Sequence, residues 1–404
     1  MNRIISFFLF LSLSIIPTFA SSDSTMVGLR VFLLDKLALE KNKNSLKLDK
    51  KPPVQYGELL RLADKLLKGK PLSVVQKKQI PPSGDKHDYM SIGPYWWPDP
   101  DSPNGEPYIR KDGESNPEAK SCNDHAYFTE TNNRIFRLAL AYYFTDNDTY
   151  AEKAVEYLRV WFLNPATKMN PNLNFAQAIK GRNTGRGAGV LDGHNINYMI
   201  EALGLIDRSK SFSSEDRKEI HQWLEDYRNW LLDSKNGLSE SKTKNNHGSW
   251  YDVQMMSISL YLGYNDFARQ YTDRLKNNRI DYQIENDGRQ PEELIRTKAL
   301  HYSFYNLEAV SEFAAMAQNL GINYWDYVSQ DGRSIKKAID YLYPYTNGDK
   351  KWEYKQISHL SSGPPVAVLL FAYKYYGEKK YLDLAAKLDG NGLKSRFEVL
   401  YLFR

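Results

Sequence analysis

From Asp124 to the C-terminus, apolar residues recur at spacings of three and four, and that period dictates helices. Ile135 and Leu138 share one helical stripe, as do Val155, Leu158, Trp161 and Phe162. The spacing predicts helices over 124–145, 148–163, 192–208, 214–234, 247–263, 265–282, 300–320, 333–345 and 364–388. Several starts offer side-chain oxygens to the orphan amides of a first turn, as Ser213-Ser214 does before Glu215 and Asp216. Neither strand–turn nor strand–helix alternation is visible, so a parallel sheet is not expected, and no strict repeat marks a solenoid. The remaining class is all-α: a toroid of antiparallel helix pairs, an incomplete α/α barrel, with long aromatic-rich loops.

Upstream, two further helical patterns cover 24–40 and 56–67, joined through Lys50-Lys51-Pro52-Pro53 in a Lys-rich stretch whose charge suits a solvated face. The first twenty residues carry Arg3, an apolar run over 4–16 and a small-residue end at Ala20. They have the form of a cleavable export signal, too short to span a membrane. Residues 21–404 then form one domain with no membrane anchor. The formal charge of +5 falls by one with Arg3, which gives no phosphate-binding stripe and no case for nucleic acid, but suits an anionic substrate. Cys122 is the single cysteine, so no internal disulfide forms, no cysteine-built metal site is available and no lipid-anchoring cysteine follows Ala20. A soluble periplasmic or secreted product is expected.

Three segments carry more polar and aromatic groups than connections need. Residues 81–117 lose all period and contain Tyr95-Trp96-Trp97-Pro98; a loop this long in a compact domain is functional or disordered, and its rings argue for order. The rings either plug the core or line a cleft, where indoles stack on sugars. Asn245-Asn246-His247-Gly248-Ser249-Trp250-Tyr251 enters a helix. It is either an Asn cap with a packed His or an amide and an imidazole placed for proton transfer at a positive helix end. The third segment runs from Asp287-Gly288 through Pro291, Glu292, Glu293 and Arg296 to His301 and Tyr302. Glu292 and Arg296 are four apart and suit a surface pair. Arg296 and Tyr302 are six apart, so they reach one site only if the helix breaks between them. A weaker glycine-rich segment, 181–189, holds Arg182, Asn183 and Arg186, suited to a carboxylate. No HExxH, no two-His-one-carboxylate cluster and no GxSxG is present, so no metal and no cofactor is expected.

Taken together, the Tyr95-Trp96-Trp97-Pro98 loop, the Asn245–Tyr251 run and the Asp287 to Tyr302 segment resemble the alginate lyase superfamily of helical-toroid polysaccharide lyases, over residues 85–375. The resemblance is strongest to the bacterial branch acting on alginate and glucuronan. It implies β-elimination on 1,4-linked uronic-acid polysaccharide or oligosaccharide. Asn246 and Arg296 would neutralise the C6 carboxylate, with Arg182, Asn183 or Arg186 as helpers. Tyr302 would be the acid, and also the base when the proton and the leaving oxygen share a face. His247 would be the base for the opposite stereochemistry, or hold Tyr302 as phenolate. Tyr95, Trp96, Trp97, Tyr251, Glu293 and His301 would line the substrate. A phenol titrates near pH 10, so Tyr302 as base requires a nearby cation, for which Arg296 is the candidate. The alternatives are a toroid glycoside hydrolase, which needs two carboxylates about 5–9.5 Å apart, from among Asp192, Asp252 and Glu293, or a glycan-capture protein without turnover.

Overall fold

The computed structural model describes residues 28–48 and 51–403, so the expected export signal lies outside the described residues. Sixteen α-helices are described: α1 Lys36–Leu48, α2 Val54–Leu67, α3 Asp124–Thr145, α4 Asp148–Leu158, α5 Ile196–Leu205, α6 Ser214–Asp233, α7 Lys235–Ser241, α8 Asn246–Leu262, α9 Asn265–Tyr271, α10 Asp281–Gln283, α11 Pro291–Leu294, α12 Ala299–Ala317, α13 Ile335–Asn347, α14 Gly363–Tyr376, α15 Lys379–Asp389 and α16 Glu398–Leu402. Four short strands join them: β1 Met90–Ile92, β2 Trp96–Trp97, β3 Ile109–Arg110 and β4 Phe175–Ala178.

The helices form a toroid. α3, α5, α8, α12 and α14 pack in succession as an inner ring, and α16 and α1 bridge α14 back to α3. α4, α6, α9, α13 and α15 pack on the outside of this ring. The sequence sorts the two layers. α8 and α12 are buried on nearly every side and α8 fills its contacts with Ser249, Gln254, Ser257 and Ser259 as well as apolar groups, as an interior helix must. α13 and α15 bury one stripe only, Ile335, Ala338, Ile339 and Leu342 in the first and Tyr381, Leu384 and Ala385 in the second.

Several boundaries depart from the periodicity. Of the pattern over 24–40, residues 24–27 lie outside the described residues, and the described part is helical only from Lys36. Before it, the amides of Phe32, Leu33 and Leu34 all donate to the buried carboxylate of Glu201, a tertiary anchor stronger than local propensity. The pattern over 364–388 is two helices, because Gly377 adopts φ 71° and ends α14. The stretch 265–282 breaks after Tyr271 into a π-helical turn, Leu275–Ile280. The described strands make two short pairs and no larger sheet: β1 pairs with β4 in parallel and β2 with β3 antiparallel.

The long loop is ordered because its polar groups are satisfied inside the protein. Asp88 accepts from Ser83, Asn170 and Asn172, and the Met90 amide donates to Asp124. Lys77, itself wholly buried, closes on Asp124 at 2.9 Å. Burial outweighs Lys77 and raises the Asp124 carboxyl to about 6.

Candidate active site

One cleft of about 790 Å³ opens where the β1–β2 loop, the β4–Gly187 turn, the start of α8 and the start of α12 converge. Helix α11 stops at Leu294 and α12 begins at Ala299. The chain therefore breaks between Arg296 and Tyr302, which meets the geometric condition for bringing them together. The Arg296 guanidinium lies 3.8 Å from the centre of the Tyr302 ring, a cation–π contact. The Tyr302 hydroxyl meets the Tyr95 hydroxyl at 2.6 Å. Asp112, on the loop that carries Tyr95, accepts from Arg296 Nε and Nη2, at 2.8 Å for the latter, and from the Thr297 amide and hydroxyl. Burial opposes ionisation of Asp112, but the hydrogen bonds from Arg296 and Thr297 hold it well below the usual carboxylate range. For Tyr302 the balance runs the other way. Burial raises the phenol above its ordinary value, Arg296 offsets this only in part, and Tyr95 adds to it. Arg296 thus acts on this phenol in the expected direction, from the ring face, but burial outweighs it and the net shift is upward.

His247 sits in the first turn of α8, capped by Asn245, whose side chain accepts from the His247 amide. Its Nδ1 meets the buried Glu240 carboxylate at 2.6 Å. Glu240 therefore fixes the ring and its tautomer and leaves Nε2 for the cleft. Asn246 is wholly buried at the cleft floor. Its backbone amide and side-chain amide both donate to Glu293, at 2.6 and 2.8 Å, and its Oδ1 has no partner. Burial raises the Glu293 carboxyl to about 7, against the lowering effect of Asn246, Arg296 and His247. His301 stacks parallel on Tyr305 with ring centres 6.0 Å apart. Burial first, then Lys298 and Arg296, lower its pKa, so its imidazole is neutral near pH 7.

On the opposite wall Arg186 donates to the Gln177 side chain at 2.7 Å, and the Gln177 amide donates to Asp192 at 2.9 Å. Tyr89 and Ser91 also donate to Asp192. Gln177 holds φ 49°, a backbone state that non-glycine residues adopt at a cost. Trp96 lines this wall, with the Arg186 and Arg182 guanidiniums over its ring. Among the described residues no group of three His, Cys, Asp or Glu side chains is placed to hold a metal.

The sequence profile of the family described as alginate lyase matches residues 73–352. The chain belongs to the alginate lyase family. A crystal structure of an alginate lyase from Bacteroides ovatus matches it at 37% identity with a TM-score of 0.86, covering 93% of this chain and 99% of that one. Alginate lyase A1-III gives the same fold at greater distance. A variant complexed with tetrasaccharide aligns at 15% identity, TM-score 0.58, over 88% of this chain and 90% of its own. The enzyme from Sphingomonas species A1 aligns at 16% identity, TM-score 0.50, over 81% and 90%. No curated protein matches. The chain is thus a polysaccharide lyase of the helical-toroid fold.

In this lyase, Tyr302, His247, Asn246, Arg296, Tyr95, Trp96, Arg186 and His301 all line the cleft. Five other expected contacts do not. Tyr251 is buried, its hydroxyl donating to the Leu231 carbonyl, because it projects from a face of α8 packed in the core. Glu293 lies behind Asn246 as its acceptor. Asn183 is exposed and pairs through its backbone with Ile179. Arg182 donates to the Tyr108 carbonyl outside the lining. Trp97 turns away from Trp96, its indole N–H on the Glu114 carbonyl. Sequence reasoning missed Glu240, Asp112 and Gln177, which hold His247, Arg296 and Arg186; only Asp112-Gly113 leaves a local trace, as a turn pair.

Proposed function

We propose that this lyase cleaves 1,4-linked uronic-acid polymers of the alginate type, glucuronan included, by β-elimination, leaving a 4,5-unsaturated uronate. The observation that carries the reading is the convergence, in one cleft, of a guanidinium, a phenol and a carboxylate-oriented imidazole. Elimination requires these three groups. The C6 carboxylate of the sugar lies against Arg296, which stabilises the charge that develops as C5 loses its proton. When that proton and O4 lie on opposite faces, His247 takes the proton, the C4–O4 bond breaks, the C4=C5 bond forms and Tyr302 protonates O4. When they share a face, Tyr302 first gives its proton to solvent, then as phenolate takes the C5 proton and returns it to O4 as the C4–O4 bond breaks and C4=C5 forms. The raised phenol pKa makes the acid role the resting one.

The acids do not favour hydrolysis. Asp252 is spent on Arg274, Arg279 and Tyr271, Glu293 on Asn246, and Asp192 on three donors. Export is part of the proposal, supported by residues 1–20. The test is ultraviolet absorbance against time on alginate, polymannuronate, polyguluronate and glucuronan in chelator. Rising absorbance on at least one polymer is expected. New reducing ends without absorbance would overturn elimination in favour of hydrolysis.

A further inference from the structure

We infer that Asp112 is a positioning residue for the elimination, holding the Arg296 guanidinium in the cleft from the loop that also carries Tyr95 and Trp96. This rests on the proposed elimination and adds a residue to it. Arg296 lies in the break at residues 295–298, where no helical ladder fixes it. Among the described residues, every hydrogen bond of its guanidinium goes to Asp112. Two bonds from one planar fork to one carboxylate set direction as well as distance, and the Nη1 edge is left for a substrate carboxylate. Without Asp112 the guanidinium has only the Tyr302 ring to rest on, and that contact fixes no rotation about the stacking axis.

The loop approaches closely enough to hold this geometry. The Thr297 amide and hydroxyl both bond Asp112, and the hydroxyl also bonds the Asp112 carbonyl. Gly113 follows at φ 77°, and a Cβ there would collide with the Thr297 hydroxyl. Asp112 also accepts from Arg110, a second cation of the cleft lining, at 2.8 Å. One carboxylate thus faces two guanidiniums, and the assembly keeps a net positive charge toward an anionic polymer. That arrangement anchors Arg296 without cancelling the charge the reaction uses.

The experiment is a double-mutant cycle of Asp112→Asn with Arg296→Ala, read as initial rates of unsaturated-uronate formation on the best wild-type substrate. Asp112→Asn alone is expected to lower kcat about 10–100-fold, the size seen when an orienting partner is lost, with KM within about threefold. In the Arg296→Ala background the same change should alter kcat by less than about twofold, because nothing remains to position. Asp112→Glu, which retains the charge, should recover part of the loss, and it carries the test if the Asn variant fails to fold by circular dichroism. Full multiplication of the two losses, or an unchanged kcat in Asp112→Asn, overturns the inference. A wild-type enzyme that forms no unsaturated uronate on any polymer overturns the elimination itself.

Discussion

Glu240→Gln isolates the contribution of one buried carboxylate to the base. The substitution keeps size and one acceptor but removes the charge facing His247 Nδ1 across 2.6 Å. As His247 takes a proton this bond becomes ionic, and a hydrogen bond to a charged group contributes about 1.5–3 kcal/mol. At about 1.4 kcal/mol per tenfold, the rate of any step that protonates His247 should fall about 10–150-fold. The glutamine N–H₂ can also turn toward Nδ1 and favour the tautomer with the proton on Nε2, which adds to the loss. Polymannuronate and polyguluronate differ at C5, so the proton leaves from opposite faces in the two. The assay is unsaturated-product formation on both, in wild type and variant, with melting temperature as a control for folding. The loss should be greater on polyguluronate, where proton and leaving oxygen are on opposite faces. An equal loss on both polymers with an unchanged melting temperature would refute the assignment of His247 as the stereochemistry-specific base.

Tyr302→Phe should lower kcat about 10²–10⁴-fold, while oligosaccharide binding by calorimetry persists; near-wild-type turnover removes the acid assignment. Trp96→Ala should raise KM about tenfold, since its ring lines the cleft, and Trp97→Ala should change KM by less than about threefold; the reverse order in steady-state kinetics would contradict the cleft wall described. Gly113→Ala places a side chain at φ 77° and against Thr297. It should destabilise by about 1–3 kcal/mol, more than Gly84→Ala, where φ is 82° but the space is open; equal melting temperatures would contradict the close approach of the loop. Glu293 has a folded pKa of about 7, above its unfolded value. The folded state therefore holds its proton more tightly, so this group favours stability at low pH and withdraws that contribution as pH rises from about 4 through 7. Activity should move the other way, because protonated Glu293 loses acceptor capacity for Asn246. Matched melting and rate profiles should diverge across that window in wild type and converge in Glu293→Gln.

What the sequence showed depended on whether a feature is local. The 22-residue helix α3 was legible end to end, since its apolar stripe and the left-handed Asp146 that stops it are both short-range signals. The three polar segments were legible as candidates, and the six-residue separation of Arg296 from Tyr302 required the observed break. Tyr251 was misplaced because an inner-ring helix has no solvent face, so no periodicity tells which side meets the cleft. Trp96 and Trp97 were not separable as a pair of rings, yet they lie in a two-residue strand where successive side chains take opposite faces. Glu201 as an anchor for residues 32–34, and Glu240 beneath His247, depend on tertiary placement, and no spacing in the chain announces either.

Three acids explain how a cleft crowded with cations and donors remains ordered before substrate arrives. Asp112 holds Arg296 and Arg110, Glu240 holds His247, and Glu293 holds Asn246. Each acid sets the direction of the group it bonds, and Arg296, Arg110, His247 and Asn246 all line the cleft. Arg186 is held differently. Its hydrogen bonds go to the Gln177 side chain and carbonyl, which are neutral. Among the described residues no acid hydrogen-bonds to it, and burial lowers its pKa against the raising effect of Glu240 and Asp192. On the proposed elimination, two tasks separate along one substrate. The acid-held groups would orient and react at a single sugar, where direction decides the rate. Arg186, beside Trp96, would attract the carboxylate of a neighbouring residue, where net charge decides binding. Substitution of the acids should therefore act mainly on kcat and substitution of Arg186 mainly on KM.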